Sequence, residues 1–257
     1  MAVRLPSVDR ALDLLEVLAG STEGLTVSEV SRTIRIPKST THYLMYTLLV
    51  RGYIQRNFDG RRYSLGLRSF ELANRSDTEQ LRAVTRLDLR RIAERLRLTA
   101  ITAVLKGAEA VVIENAEPSG SEMGGQWIGR HVDVHCTSLG KALIAHLSGL
   151  EIEALFRERP LARFTPNTIC SLKVLRAQLE RVRVDGFAIN DEEHIIGVRG
   201  IAAPIVNHVG RVVASIGVNG SRAQVSREQI PSTAKEVISA AREISRKFLD
   251  PLPVEGG

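Results

Sequence analysis

Cysteine is nearly missing from this chain: Cys136 and Cys170 are the only two among 257 residues. Two are too few for a zinc cage of the CxxC type, and they fit a reducing cytoplasm rather than a disulfide-stapled secreted protein. Long apolar runs are missing as well. None approaches the roughly 20 residues that span a bilayer, so no membrane partner is expected. The opening stretch MAVRLPSVDRALDLLEVLAG does not read as a signal peptide, because Asp9, Asp13 and Glu16 interrupt its apolar positions. Aromatic residues are scarce. The apolar share is still ordinary for a soluble protein, and the length allows one large or two modest cores.

Excess positive charge is missing from the second part of the chain. Residues 1–97 carry 17 Lys and Arg against 11 Asp and Glu, whereas residues 98–257 balance at 18 of each. The whole net charge of +6 therefore lies in the first 97 residues, the electrostatic footprint of a nucleic-acid-binding part.

What is present in that part has a recognisable order. SVDRALDLLEVLAG (7–20) reads as a helix, with Ser7 as N-cap, Val8, Leu12, Leu15 and Leu18 at helical spacing, and Gly20 as its stop. TVSEVSRTI (26–34) is a second helix, where Thr26 and Glu29 form a capping box. A tight break at RIP precedes a third, PKSTTHYLMYTLLVRG (37–52), with Pro37 near its first position. YIQRNFDGRRYSLG then gives two short strands about an Asp59-Gly60 turn. This order predicts a winged helix-turn-helix over residues 1–66.

On the third helix, Thr41, Leu44, Met45, Leu48 and Leu49 share one sector and are expected to face the core. Lys38, Ser39, Thr40, His42, Tyr43 and Tyr46 are left for the major groove of double-stranded DNA, with Arg61 and Arg62 of the adjacent hairpin on phosphate or minor groove. A merely solvated face is the plainer alternative. Residues 67–97 read as one long linker helix, or two, amphipathic enough to pair with a second copy. Most of its arginines are expected to be its wet face.

From residue 98 to about 250 the pattern is mixed. TAITAVLKG and EAVVIENAEP are strand-like, SGSEMGGQWIGRHVDV is weakly structured, and CTSLGKALIAHL is a helix capped by Thr137 or Ser138. Two further helices, three strands and a closing helix follow. This implies an α+β domain on an antiparallel sheet.

The motifs GLTVSEVSRTIRIPKSTTHYLMYTLLVRGYI, YSLGLRSFELA, HCTSLGKALIA, RFTPNTI and GFAINDEEHIIGVRGIAAPIVNHVGRVVASIGVNG occur in that sequence. As an ordered set covering about residues 5–250 they strongly resemble the IclR family of bacterial transcription regulators. The resemblance implies a C-terminal effector domain related to the GAF/PAS fold, homodimers or dimers of dimers on pseudo-palindromic operators, and a small organic acid as effector. It calls for no cofactor. Carried over by position, the effector site comprises Ser138, Leu139, Asn190, Gly200, Gly217 and Asn219. The start of the 138 helix is itself a plausible carboxylate site, with Gly140 letting a ligand approach the backbone. Two departures stand out. Tyr43 replaces a common arginine, and Gly200 and Gly217 replace hydroxyl or thiol side chains, which predicts a larger pocket and a bulkier effector.

Asn190–His194 (NDEEH) is the remaining candidate for chemistry. Adjacent ligands converge poorly on a metal whether the chain is extended or helical, so a structural turn at the pocket rim is expected, its acids taking N–H groups of the next loop or meeting Arg199. His135-Cys136 makes a poor nucleophile–base pair for the same reason. An enzyme or thiol redox sensor using Cys136 remains as the alternative function, and a module that binds protein rather than DNA as another.

Overall fold

The computed structural model describes residues 5–58, 60–73, 77–121 and 127–249. The chain divides into two compact units, residues 1–80 and 81–257, and the division falls inside the segment read as a linker.

The first unit is built on three helices, α1 (Pro6–Ala19), α2 (Val27–Thr33) and α3 (Lys38–Val50). Pro6, not Ser7, sets the start of α1. Leu5 occupies the cap position without a side-chain bond, since proline's fixed φ already suits the first helical residue. The capping box of α2 is present: Glu29 N–H reaches Thr26 Oγ1 at 3.3 Å, and Thr26 N–H reaches Glu29 Oε2 at 2.7 Å. Strands β1 (Ile54–Arg56) and β2 (Tyr63–Leu65) form the antiparallel hairpin, and Leu25 adds a bridge to Tyr63. Asp59 of the expected turn lies outside the described residues, whereas Gly60 is left-handed at φ 65°. Helix α4 (Leu67–Ala73) follows.

Leu14, Leu18, Val30, Met45, Ile54 and Tyr63 form the core of this unit. The apolar stripe expected on α1 is only partly used. Its buried face centres on Leu14 and Leu18, and Val8 and Leu12 remain 51% and 52% exposed.

The division crosses α5 (Asp77–Leu96) in its first turn, and the second unit holds the rest of that helix and a six-stranded antiparallel sheet. The strands are β3 (Thr99–Lys106), β4 (Glu109–Ala116), β5 (His131–Asp133), β6 (Ala188–Asp191), β7 (Val198–Val206) and β8 (Val212–Ser221), in spatial order β5-β4-β3-β8-β7-β6. β5 was not expected: it lies in the stretch read as weakly structured, and three residues are too few to display alternation. Helices α6 (Ser138–Ile144), α7 (Gly149–Phe156), α8 (Leu172–Asp185) and α9 (Ile230–Leu249) complete the unit. Among the described residues no helix is long and apolar enough to cross a membrane.

The pleat divides the apolar residues between two cores. Ala100, Ile113, Ile201, Ala203, Ile216 and Val218 pack with α5 and α9. Ile101, Ala103, Val112 and Ala202 turn to the other face and pack with α6, α7 and α8. The arginines of α5 are not simply a wet face. Arg86 grips buried Glu114 of β4 at 3.1 Å, Arg91 meets Glu243 at 2.6 Å and Arg95 meets Glu236 at 3.0 Å, while Lys247 of α9 answers with Asp88 at 2.7 Å. Helical spacing alone gave no sign that acids on α9 and β4 would face these positions.

Candidate nucleic-acid interface and ligand cavity

The packing of α3 decides which of its side chains meet solvent. Thr41 and Met45 are buried, and Leu44, Leu48 and Leu49 are partly so, as the sector reading requires. Lys38, Ser39, His42, Tyr43 and Tyr46 are exposed, with Thr40 half-buried beside them. Tyr43 and Tyr46 stand 73% and 59% in water, and the ring of His42 meets that of Tyr43 edge to face at 6.4 Å. Lys38 opens the helix and its first turn holds no acid, which suits an approaching phosphate.

The two hairpin arginines differ. Arg61 is exposed. Arg62 is half-buried, donates to the Gly24 carbonyl at 2.7 Å and lies 3.5 Å from Glu29, so it ties the hairpin to the α1–α2 loop. Arg56 lies over the Tyr63 ring at 5.3 Å.

In the second unit a cavity of about 730 Å³ opens on the α6 side of the sheet. Strand register sets one row of its polar wall. Asn190 of β6 pairs with Gly200 of β7, Gly200 with Asn219 of β8, and Asn219 with Thr99 of β3. Directly paired residues point to the same face, so the two amides flank Gly200. Ser138 and Leu139 enter from the start of α6, and Ile101 and Val112 add apolar wall. Trp127, Arg130, His131, His194 and the segment Arg97–Thr99 also line the space. His194 ends the turn expected at the pocket rim, whereas Trp127, Arg130, His131 and the 97–99 segment were not anticipated as cavity wall. The only usable signal was the chain's single tryptophan standing in a glycine-rich stretch.

The three glycines assigned to the site do not line this cavity, and the expectation that they enlarge it is corrected by what fills their empty side-chain positions. A Cβ on Gly200 would collide with Asn219 Oδ1 and lie 2.7 Å from Ser138 Oγ. Gly200 therefore makes room for these two polar groups. A Cβ on Gly217 would come within 2.6 Å of the Ile201 carbonyl, and one on Gly140 within 2.6 Å of the Val134 carbonyl. Those two permit close backbone packing. Helix α6 has only seven residues, and Thr137 Oγ1 already accepts the Gly140 N–H at 3.2 Å, so the anion-binding helix start expected from sequence is weakened.

Each acid of the Asn190–His194 segment has a structural partner. Asp191 binds Arg199 at 2.7 Å and Arg227 at 3.1 Å. Burial raises its carboxyl, but the two arginines outweigh that and hold it below its ordinary value. Glu192, left-handed at φ 59°, accepts the Gly197 N–H at 2.8 Å. Glu193 pairs with buried Lys141 of α6 at 2.6 Å. His194 packs on Phe164 with ring centroids 5.0 Å apart. Burial, with His135 nearby, lowers its pKa against the pull of Asp133. This is the expected rim turn, with its acids meeting Arg199 and a following N–H.

Cys136 is fully buried, and burial, with Asp133 and Glu193 nearby, pushes its thiol up to about 12. A thiol so hard to ionise is a poor nucleophile or sensor. His135 beside it bonds the Ala162 carbonyl at 2.9 Å. His131 is paired to Glu109 at 2.8 Å.

A three-helix head with a strand hairpin and an outward polar helix, joined to an α+β unit with its own cavity, defines a DNA-binding transcription regulator. The chain belongs to the IclR family. The family's helix-turn-helix domain matches residues 7–57, and the model described as bacterial transcriptional regulator IclR C-terminal matches residues 75–246. The HTH-type transcriptional regulator XynR of Escherichia coli K12 is 31% identical over 243 residues, 94% of this chain and 96% of that one. The transcriptional repressor IclR of the same strain is 27% identical across 95% of this chain and 90% of its own. An IclR homologue complexed with 4-hydroxybenzoate from Microbacterium hydrocarbonoxydans superposes with a TM-score of 0.82 at 25% identity, covering 94% of this chain and 98% of that one.

Proposed function

We propose that this regulator acts in the cytoplasm as a homodimer or dimer of dimers on double-stranded operator DNA, and that a small organic acid in the cavity sets its operator affinity. Repression is its default sense. The observation that carries the reading is α3: one side packs in the core, and the other presents Lys38, Ser39, Thr40, His42, Tyr43 and Tyr46 to solvent. In this reading that face enters the major groove, and Arg61, with Arg62 behind it, meets the phosphates.

The functional modules are residues 1–66 for DNA, 67–97 as linker and 98–250 for effector. Ser138, Leu139, Asn190 and Asn219 contact the effector, and Gly140, Gly200 and Gly217 hold the frame behind them. Effector acts through unequal affinity for the operator-competent and incompetent forms. Three things support the finer assignments. One relative is named a repressor and another homologue holds 4-hydroxybenzoate. Exposed Val8, Leu12 and Leu87 offer apolar surface to a second copy. No catalytic step is assigned.

The test is selection of random duplexes on the purified protein near physiological salt. A pseudo-palindrome with half-sites about one helical turn apart is expected. Salt-sensitive binding with no enriched sequence would reduce the α3 face to nonspecific phosphate contact.

A further inference from the structure

Four basic side chains line the cavity, and three already have partners or a stacked place. Arg97 donates to Glu94 at 3.1 Å and to the Ser119 carbonyl at 2.7 Å. His131 is held by Glu109. His194 is stacked on Phe164. Arg130 differs: it pairs with no acid among the described residues, and its guanidinium lies over the Trp127 ring, 5.0 Å from the centroid.

The backbone fixes that pair. Arg130 N–H closes a turn on the Trp127 carbonyl at 3.0 Å, with Gly129 left-handed at φ 84° between them. Gly129 N–H then reaches the Val112 carbonyl at 2.8 Å, and Val112 N–H reaches the Arg130 carbonyl at 2.9 Å. A guanidinium held over an indole face keeps N–H donors free to grip a carboxylate with two parallel bonds.

Charge orients the ligand. Glu117, also on the cavity wall, lies five residues beyond Val112 along the extended chain, roughly 16 Å away at the usual strand rise. Its carboxylate accepts the Thr99 hydroxyl at 2.7 Å and disfavours an anion at that end. Around Arg130 the wall is apolar, formed by Val112, Val132 and Trp127. The volume is that of a pocket enclosing a drug-sized molecule, far more than a two- or three-carbon acid fills.

We propose that Arg130, laid on Trp127, recognises the carboxylate of the effector, and that the effector is an aromatic carboxylic acid whose ring packs on this apolar wall. Ser138, Asn190 and Asn219, all uncharged, receive a neutral hydrogen-bonding substituent of the same molecule. This rests on the reading of the cavity as the effector site.

Trp127 is the only tryptophan in the chain, so its fluorescence reports on this cavity alone. The full-length protein is titrated with benzoate, 4-hydroxybenzoate and phenylacetate, with the matching neutral amides, and with pyruvate. The expected result is that aryl carboxylates shift Trp127 emission and that the amides bind about tenfold more weakly or worse, the worth of a charge-assisted contact. Arg130→Gln should remove that preference, lowering carboxylate affinity about tenfold while the amides move less than about twofold, and Arg130→Lys should restore part of it. Equal binding of acid and amide, or equal losses for both in Arg130→Gln, overturns the assignment. A response confined to pyruvate overturns the aromatic class and leaves the cavity an effector site. If no compound moves either Trp127 emission or operator affinity, the effector reading and this one fall together.

Discussion

Lys141 Nζ lies 2.6 Å from Glu193 Oε1, with both side chains almost wholly shielded from water. Lys141 also donates to Gln178 Oε1 at 2.8 Å, and Glu193 N–H returns to Asn190 Oδ1 at 2.8 Å. Burial draws the lysine's pKa down and the glutamate's up, each opposed by the attraction of the other. The pair thus fastens α6 to the turn that carries Asn190 and His194 into the cavity.

Removing one partner strands the other charge in the interior. Lys141→Met or Glu193→Gln should each cost about 3–5 kcal/mol, seen as a lowered thermal midpoint, and the double change to Met and Leu should recover much of it. Single variants within about 1 kcal/mol of the parent would show that water reaches the pair.

Gly140, Gly200 and Gly217 should separate by what their missing side chains make room for. Gly217→Ala and Gly140→Ala press on backbone and should lose about 1–3 kcal/mol or more in urea unfolding. Gly200→Ala meets the mobile end of Asn219 and should change ligand affinity at a smaller cost in stability. Equal losses at all three would place Gly200 in the frame alone.

For the hairpin, Arg61→Ala should weaken binding to every DNA sequence alike and reduce the salt slope by about one, whereas Ser39→Ala or His42→Ala should alter sequence preference by about 1–3 kcal/mol at one position. Arg62→Ala should in addition loosen the first unit, because Gly24 and Glu29 lose their partner. A changed sequence preference in Arg61→Ala would move the hairpin from phosphate to base edges.

His194 makes stability depend on pH in a defined direction. Its folded pKa is depressed, chiefly by burial, so the unfolded chain takes the proton first. The stability it contributes is present above about 6.5, the ordinary histidine value, and is lost as the pH falls through the folded value. His194→Gln should flatten the unfolding midpoint against pH in that window. His146, lowered by burial and by Arg183, contributes in the same direction and is untouched by that change. An unchanged slope in the variant would assign the dependence elsewhere.

Mild peroxide should leave the parent protein's ligand response unchanged, because the buried Cys136 thiol resists ionisation, and Cys136→Ala should respond as the parent does. A response abolished by this change would restore the thiol-sensor reading.

The elements of the first unit were legible because local rules governed them: a capping box at Thr26, a proline before α3, and an exposed sector on α3 opposite Thr41 and Met45. In the cavity, Ser138, Leu139, Asn190 and Asn219 were reachable by resemblance. The rim turn that ends at His194 was read from its run of adjacent acids, whereas Trp127 and Arg130 were not foreseen, because a turn held on Val112 brings them there from elsewhere in the chain. The glycines misled for a related reason. An absent side chain says that something approaches closely, and only the fold tells whether that neighbour is a ligand, an asparagine or another strand.

The alternation along the central sheet also bears on how such a protein changes over generations. Ile101, Val112 and Asn219 face the cavity, while Ala100, Ile113 and Val218, one step away on the same strands, face α5 and α9. With the cavity as the proposed effector site, mutational drift at the first set would alter which molecule is sensed, while the second set keeps the body of the domain folded. Descendants of one ancestral gene can therefore come to answer different metabolic cues without rebuilding the scaffold that carries the answer.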